Sequence, residues 1–253
     1  TDAAVLDKYF IISDMIDYKE ANGAKVHPSV RDNVEKLLLA IVPVIDCQII
    51  ISDFGPKFET NPELDLAKKI FKMMLTGKCI DDPLALKAAK VVDASEPSYG
   101  IKICIGGQAA LADDKETAIK YFEQALTLTD ENVKKGDLYL KIARIKATQG
   151  LKSSSRDYAY KALDVDPSLS DAYKLIGDLY MNSFDDCAGK QDMVKDRAVF
   201  IAAYNMYQKA GDGSAMAKAK AQFPSSEELF NGNYSEGEQM KVNCWINTTV
   251  TLD

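Results

Sequence analysis

Tyr173-Lys174-Leu175-Ile176-Gly177-Asp178-Leu179-Tyr180 is the stretch that decides the reading of this chain. Tyr173, Ile176, Gly177 and Tyr180 recur at helical intervals and share one face of an α-helix. A glycine inside a helix costs about 0.5–1 kcal/mol relative to alanine. It is expected where a neighbouring helix must come close and large residues fill the space beside it. The same alternation of small and bulky residues lies upstream. Gly106, Ala118, Phe122 and Ala125 form one set, and Tyr139, Ile142, Ala143, Ala162 and Pro167 form the next. Ala125 and Ala162 stand 37 positions apart, so the unit recurs along the chain.

Outward from this stretch the pattern is helical almost throughout. Val5, Tyr9, Ile12 and Ile16 predict one apolar face on a first helix over 3–18, ended by Asn22-Gly23. Ser29 is the expected N-cap of a second helix through Val30, Val34 and Leu37, which bends or restarts near Pro43. Phe54-Gly55-Pro56 reads as a break, and Asn61-Pro62-Glu63 as the cap and first turn of a helix through Phe71 to Leu75. Asp82-Pro83, Ser98 and Asp114 open three further helices. Segments 135–148, 153–163 and 170–181 follow, joined by turns too short for anything but antiparallel neighbours. A loop at about Asn182 to Gln191 delays the next helix to 198–210, and a shorter one spans 214–222. Phe223-Pro224-Ser225-Ser226 ends the series. Beyond it Met240, Val242, Cys244 and Ile246, then Val250 and Leu252, alternate around an Asn247-Thr248 break and predict a β hairpin packed on the helices.

The Tyr173–Tyr180 stretch resembles the first helix of a tetratricopeptide repeat, whose period is about 34 residues. The implied fold is an all-α solenoid of helical hairpins coiled into a right-handed superhelix, with a short C-terminal β ribbon. The expected organisation is an N-terminal helical region over 1–60 and repeats at about 63–97, 99–132, 136–169 and 170–211 within 61–222. A non-repeat cap over 223–253 carries Trp245 as a wedge. Phe54-Gly-Pro-Lys-Phe-Glu59, Cys79-Ile-Asp-Asp-Pro-Leu-Ala-Leu-Lys-Ala-Ala89, Leu175-Ile-Gly-Asp-Leu-Tyr180, Phe223-Pro-Ser-Ser-Glu-Glu-Leu-Phe230 and Cys244-Trp-Ile-Asn-Thr248 are similar to the C-terminal part of exported tetratricopeptide proteins of Bacteroidetes bacteria. That resemblance implies a periplasmic or envelope-associated protein, and it suggests further residues before Thr1 or after Asp253. Thr1-Asp2-Ala3 itself shows neither an initiating methionine nor a leader, which suggests a processed protein or a fragment.

Composition narrows the function classes. The 253 residues include 31 basic and 38 acidic side chains, a net charge of −7, and are 47% hydrophobic, as in ordinary globular proteins. No basic stripe supports nucleic-acid binding. The longest apolar run, residues 37–45, is interrupted by Pro43 and is far shorter than the ~20 residues of a membrane span. His27 is the only histidine and nothing near it in sequence would orient the imidazole, so neither a His-rich metal site nor a Cys–His dyad is expected. No P-loop, dinucleotide fingerprint or nucleophile elbow occurs. Asp81-Asp82 and Asp185-Asp186 read as solvated caps, and Asp212-Gly213 lacks the further ligands of an EF-hand. No cofactor, metal or catalytic residue is expected.

Five cysteines are too widely spaced for a zinc knuckle or a CxxC motif. Cys104 reads as a small buried hydrophobe. In an exported protein Cys47 with Cys79, and Cys187 with Cys244, are candidate disulfides, although spacing alone does not set connectivity. The repeat register places Arg144, Thr148, Lys174, Asp178, Met181 and Asn182 near the concave face, where Arg144 and Lys174 would orient a carboxylate of a peptide or protein partner. Tyr158, Tyr160, Tyr204 and Tyr207 read as core. The function expected is a non-enzymatic interaction scaffold. The alternative is a structural subunit of an envelope assembly with a self-capped groove.

Overall fold

The computed structural model describes residues 2–41 and 46–252. Among these residues are fourteen helices and one two-stranded antiparallel sheet, in the all-α arrangement expected. The chain divides into two compact units, Thr1–Tyr121 and Phe122–Asp253.

The first unit contains α1 (Asp2–Ala21), α2 (Pro28–Ile41), α3 (Cys47–Thr60), α4 (Leu64–Thr76), α5 (Pro83–Ser95), α6 (Tyr99–Leu111) and most of α7 (Lys115–Leu126). Successive helices pack on each other, α1 on α2, α3 on α4, α4 on α5 and α5 on α6. Their starts follow the local chemistry. Asp82 accepts the Leu84 N–H at 2.8 Å with Pro83 at the first helical position, Ser98 Oγ accepts the Ile101 N–H, and Asp114 accepts the Thr117 N–H. Each satisfies an otherwise orphaned donor and is worth about 1 kcal/mol. The core of this unit is built on Ile50, Ile70, Met73, Met74 and Ile105, with alanines 85, 88 and 89 letting α5 approach its neighbours.

Several local expectations are corrected here. α3 runs unbroken through Phe54-Gly55-Pro56. The lost hydrogen bond at Pro56 costs about 3 kcal/mol, but Phe54 and Phe58 are buried on either side, so tertiary packing holds the two halves in line. Asn61 closes α3, its N–H reaching the Lys57 carbonyl, and α4 starts after Glu63. α2 starts at Pro28, so the Ser29 N–H lies inside the first turn and donates to His27 Nδ1. On α1 the buried row is Tyr9, Ser13 and Ile16, whereas Val5 and Ile12 are exposed. Gly23, at φ +80°, turns the chain after α1. The bend expected at Pro43 lies outside the described residues.

The second unit continues with α8 (Asn132–Thr148), α9 (Lys152–Val165), α10 (Ser170–Met181), α11 (Phe184–Cys187), α12 (Met193–Ala210), α13 (Gly213–Lys220), α14 (Ser226–Asn231), β1 (Gln239–Val242) and β2 (Thr248–Thr251). α8 pairs with α9, α10 with α12, and α10 also touches α9 and α8. Between α8 and α9 the fully buried Ser155 hydroxyl donates to the Ala143 carbonyl at 2.7 Å. Between α10 and α12 the absent side chain of Gly177 leaves room for the Tyr207 ring, only 2.7 Å from where a Cβ would stand.

The C-terminal ribbon differs from its reading in detail. Its strands are four residues each, paired Met240 with Val250 and Val242 with Thr248, and residues 243–247 form the connection, so Thr248 belongs to a strand. Met240, Val242, Ile246, Val250 and Leu252 are buried in the core of this unit and both strands pack on α12. α12 itself begins at Met193, five residues before Ala198, because Asp192 caps the N–H groups of Val194 and Lys195. α11 and α14 are short helices where loops were expected.

Candidate protein-interaction face

Helices α8 and α10 carry the residues singled out in the sequence. Arg144, half-exposed on α8, pairs with Asp171 at the start of α10 at 2.5 Å. One turn further along α10, Lys174 donates to Asp212 at 2.8 Å and lies 3.7 Å from Asp178. Asp178 accepts the Tyr207 hydroxyl at 2.8 Å, and Lys174 stands over the Tyr207 ring at 5.5 Å from its centroid. Arg144, Asp171, Lys174 and Asp178 form a run of alternating charge at the surface, with the half-buried Asp212 as a second acid beside Lys174 and the buried Tyr207 fixing one end.

The electrostatics follow from these contacts. The Lys174 ammonium donates to Asp212 and holds its carboxyl below the ordinary range, and the same hydrogen bond holds Lys174 above its own. Burial, then the Asp178 carboxylate, push the Tyr207 hydroxyl up strongly. Thr148 and Asn182 end their helices. Thr148 Oγ1 returns to the Ile145 carbonyl and Asn182 Nδ2 to the Asp178 carbonyl, while the Asn182 carbonyl accepts from Lys152. Met181 is half-buried against the core rather than presented to solvent.

Sequence reasoning missed Asp171 and Asp212 as the partners of the two cations. Asp171 stands 34 positions after Asp137, but Asp137 pairs with Lys141 within α8 and the matching position on α10 is Leu175, so the period did not point to the Arg144 pairing. Asp212 carried no signal either, because it caps α13 through the Ala215 N–H and meets Lys174 only through the packing of α10 on α12. Of the tyrosines read as core, Tyr207 is buried, Tyr158 and Tyr204 are half-buried, and Tyr160 is exposed at 38%. Tyr158 donates to Glu123 at 2.8 Å and its hydroxyl is pushed up to about 12, by burial first and then by that carboxylate.

A second constellation fixes the ribbon. Arg156 on α9 donates to the carbonyls of Trp245 and Ile246 at 2.7 and 2.9 Å and lies over the indole ring. Trp245 meets the buried Tyr180 ring edge-on at 5.7 Å between centroids. A disulfide joins Cys187 to Cys244 beside it, and another joins Cys47 to Cys79 in the first unit. Cys104 is free and half-buried rather than fully buried, and burial raises its thiol.

Of the paired acids, Asp82 caps α5 while Asp186 is ion-paired to Lys152 at 2.6 Å. Among the described residues no group of three or more His, Cys, Asp or Glu side chains is placed to hold a metal ion, and no helix is long and apolar enough to cross a membrane.

No protein-family model matches the sequence, and no curated protein is similar to it. Among solved structures the chain is similar to YrrB, described as a TPR protein with an unusual peptide-binding site. The two are 14% identical over 81% of this chain and 97% of that one, with a TM-score of 0.50. Two MamA structures are 14% and 16% identical, cover 79% and 88% of this chain and 99% and 97% of theirs, and give TM-scores of 0.48. The fold is that of a tetratricopeptide-type helical-repeat protein.

Proposed function

We propose that the chain is a non-enzymatic scaffold that holds a peptide or protein segment on the face formed by α8 and α10, the concave face of a tetratricopeptide array. The observation that carries this reading is the alternating surface charge of Arg144, Asp171, Lys174 and Asp178, with Asp212 as a second acid on Lys174. Exposed ion pairs contribute only about 0–1 kcal/mol each. A partner carboxylate can therefore displace Asp171 from Arg144, or Asp212 from Lys174, at small cost and gain a charge-assisted hydrogen bond. Thr148 and Asn182 flank the run, while Met181, turned to the core, supports α10 from behind. The similarity to a protein described as peptide-binding is consistent with this use of the fold. Neither the net charge of −7 nor this mixed face favours nucleic acid.

Two disulfides favour an oxidising compartment, in keeping with an exported protein of the periplasm or cell envelope. The repeat bounds read from the sequence remain part of this proposal, with 136–169 and 170–211 supplying the face. A second reading, a structural subunit with a self-capped groove, is favoured by the Arg156–Trp245–Tyr180 contact that ties the ribbon to α9 and α10.

A crosslinking pull-down from envelope extract, run with the native chain beside an Arg144→Ala, Lys174→Ala double variant, separates them. A partner captured by the native chain and lost in the variant supports recognition on α8 and α10. A partner retained by the variant moves the interface elsewhere, and recovery of none favours the self-capped subunit.

A further inference from the structure

The two disulfides are not equivalent in what surrounds them. Cys79 is 5% exposed and sits in the core of the first unit with Cys47 packed against it. Cys187 instead lines an open cavity of about 240 Å³ shared with Gln191, Lys195, Asp196, Lys241 and Asn243. Both of its neighbouring carboxylates are engaged. The buried Asp196 accepts the N–H groups of Gly189 and Lys190 at 2.7 and 2.9 Å, and Asp192 caps α12 and accepts the Tyr234 hydroxyl. Lys195 pairs with Asp192 at 3.2 Å, and Lys241 adds a further cation to the cavity that Cys187 lines.

We infer that Cys187–Cys244 is a thiol–disulfide exchange site whose substrate is a dithiol, approached through this cavity, while Cys47–Cys79 is a structural bond that such a reagent does not reach. A thiolate of the dithiol attacks Cys187 Sγ. The Cys187–Cys244 bond breaks as the mixed disulfide forms, and Cys244 leaves as a thiolate that takes up a proton. The second thiol of the reagent, deprotonated, then attacks its own sulfur in the mixed disulfide and releases Cys187 as a thiolate, which is protonated in turn. The protein disulfide gains two electrons and the dithiol becomes a disulfide.

The site opens without unfolding the unit, because other contacts hold both of the segments it joins. The insert around α11 keeps the Asp196 clasp, the Lys152–Asp186 ion pair and the stack of Phe184 on Phe200 at 5.3 Å. The ribbon keeps its buried side chains and the Arg156 hydrogen bonds. What changes is that the insert and the ribbon are no longer tied, and a thiol faces the cavity.

The test treats the native chain with dithiothreitol, stops the reaction at intervals with an alkylating reagent and reads each cysteine by peptide mass spectrometry. Cys187 and Cys244 are expected to become labelled about tenfold or more faster than Cys47 and Cys79, with the emission of Trp245 unshifted at that stage. A Lys195→Ala, Lys241→Ala variant is expected to slow their opening severalfold at low salt and less at high salt. In a second measurement, oxidised glutathione is offered to Cys244→Ser and Cys187→Ser variants, and the mixed disulfide is expected to form faster on Cys187 than on Cys244. Equal opening of the two disulfides, earlier opening of Cys47–Cys79, or opening only together with loss of the native Trp245 emission would overturn the assignment. The reduction course of the native chain decides even if the serine variants do not fold.

Discussion

Gly177 has no room for a side chain. A Cβ there would stand 2.7 Å from two atoms of the Tyr207 ring, and that ring is 3% exposed and held by its hydroxyl on Asp178. The ring cannot retreat without breaking the bond to Asp178 or reopening the α10–α12 contact. Gly177→Ala is therefore expected to destabilise the fold by about 1–3 kcal/mol, despite the better helix propensity of alanine. A urea titration checks it, and an unchanged or raised midpoint would refute the close approach. Lys174 and Asp212 supply a second residue-scale prediction, whose sign follows from the direction of their shifts. Asp212 is depressed, so its contribution is present above the unfolded carboxyl value of about 4 and is lost as the pH falls through the folded one. Lys174 is raised, so its contribution is present below about 10.5 and is lost as the pH rises through the folded value. The pair is thus intact across the neutral range. In a Lys174→Met variant the Asp212 carboxyl is expected to return toward its ordinary value, read by carbon-detected NMR titration, and no movement would show that Lys174 is not its chief partner.

At the scale of elements, the ribbon depends on one side chain more than its area suggests. The Arg156 guanidinium donates to two successive carbonyls, those of Trp245 and Ile246, and covers the indole, so it fixes the connection between β1 and β2 where no ladder bond can. Hydrogen bonds to a charged group contribute about 1.5–3 kcal/mol. Arg156→Ala is expected to cost about 2 kcal/mol and to lower the denaturant midpoint followed by Trp245 fluorescence, with Arg156→Lys intermediate because it keeps the charge without the fork. Equal midpoints for the native chain and both variants would mean that apolar burial alone docks the ribbon. The same element shows what was legible in the sequence. Alternation predicted a hairpin and its buried side chains, because inward positions recur every second residue. It did not predict that the strands stop at Val242, since the Arg156 contact and the Cys187 bond that shape residues 243–247 come from distant parts of the chain. Helix starts at Asp82, Ser98 and Asp114 were readable because capping is local. Pro56 was misread as a break because the burial of Phe54 and Phe58 that overrides it is a tertiary effect. The cations Arg144 and Lys174 followed from the repeat register, but their pairing with Asp171 and Asp212 needed helix packing that one sequence does not display.

At the scale of the whole molecule, each unit carries its own buried cluster and its own disulfide. Trp245 is the only tryptophan and belongs to the second unit, so fluorescence follows that unit while far-ultraviolet circular dichroism follows the helices of both. The Cys47–Cys79 bond closes a sequence separation of 32 residues. In the chain-entropy view a loop of that length restrains the unfolded state by roughly 3–4 kcal/mol. A Cys47→Ser, Cys79→Ser variant is thus expected to lose that stability from the first unit and to show an early circular-dichroism transition. Its Trp245 fluorescence midpoint should stay near that of the native chain. Independent transitions are what a repeat array gives when the stability of its parts, more than the coupling between neighbours, sets the melting of each. If both probes instead fall together in the variant, the loss has been shared along the chain, and the two cores melt as a single cooperative body.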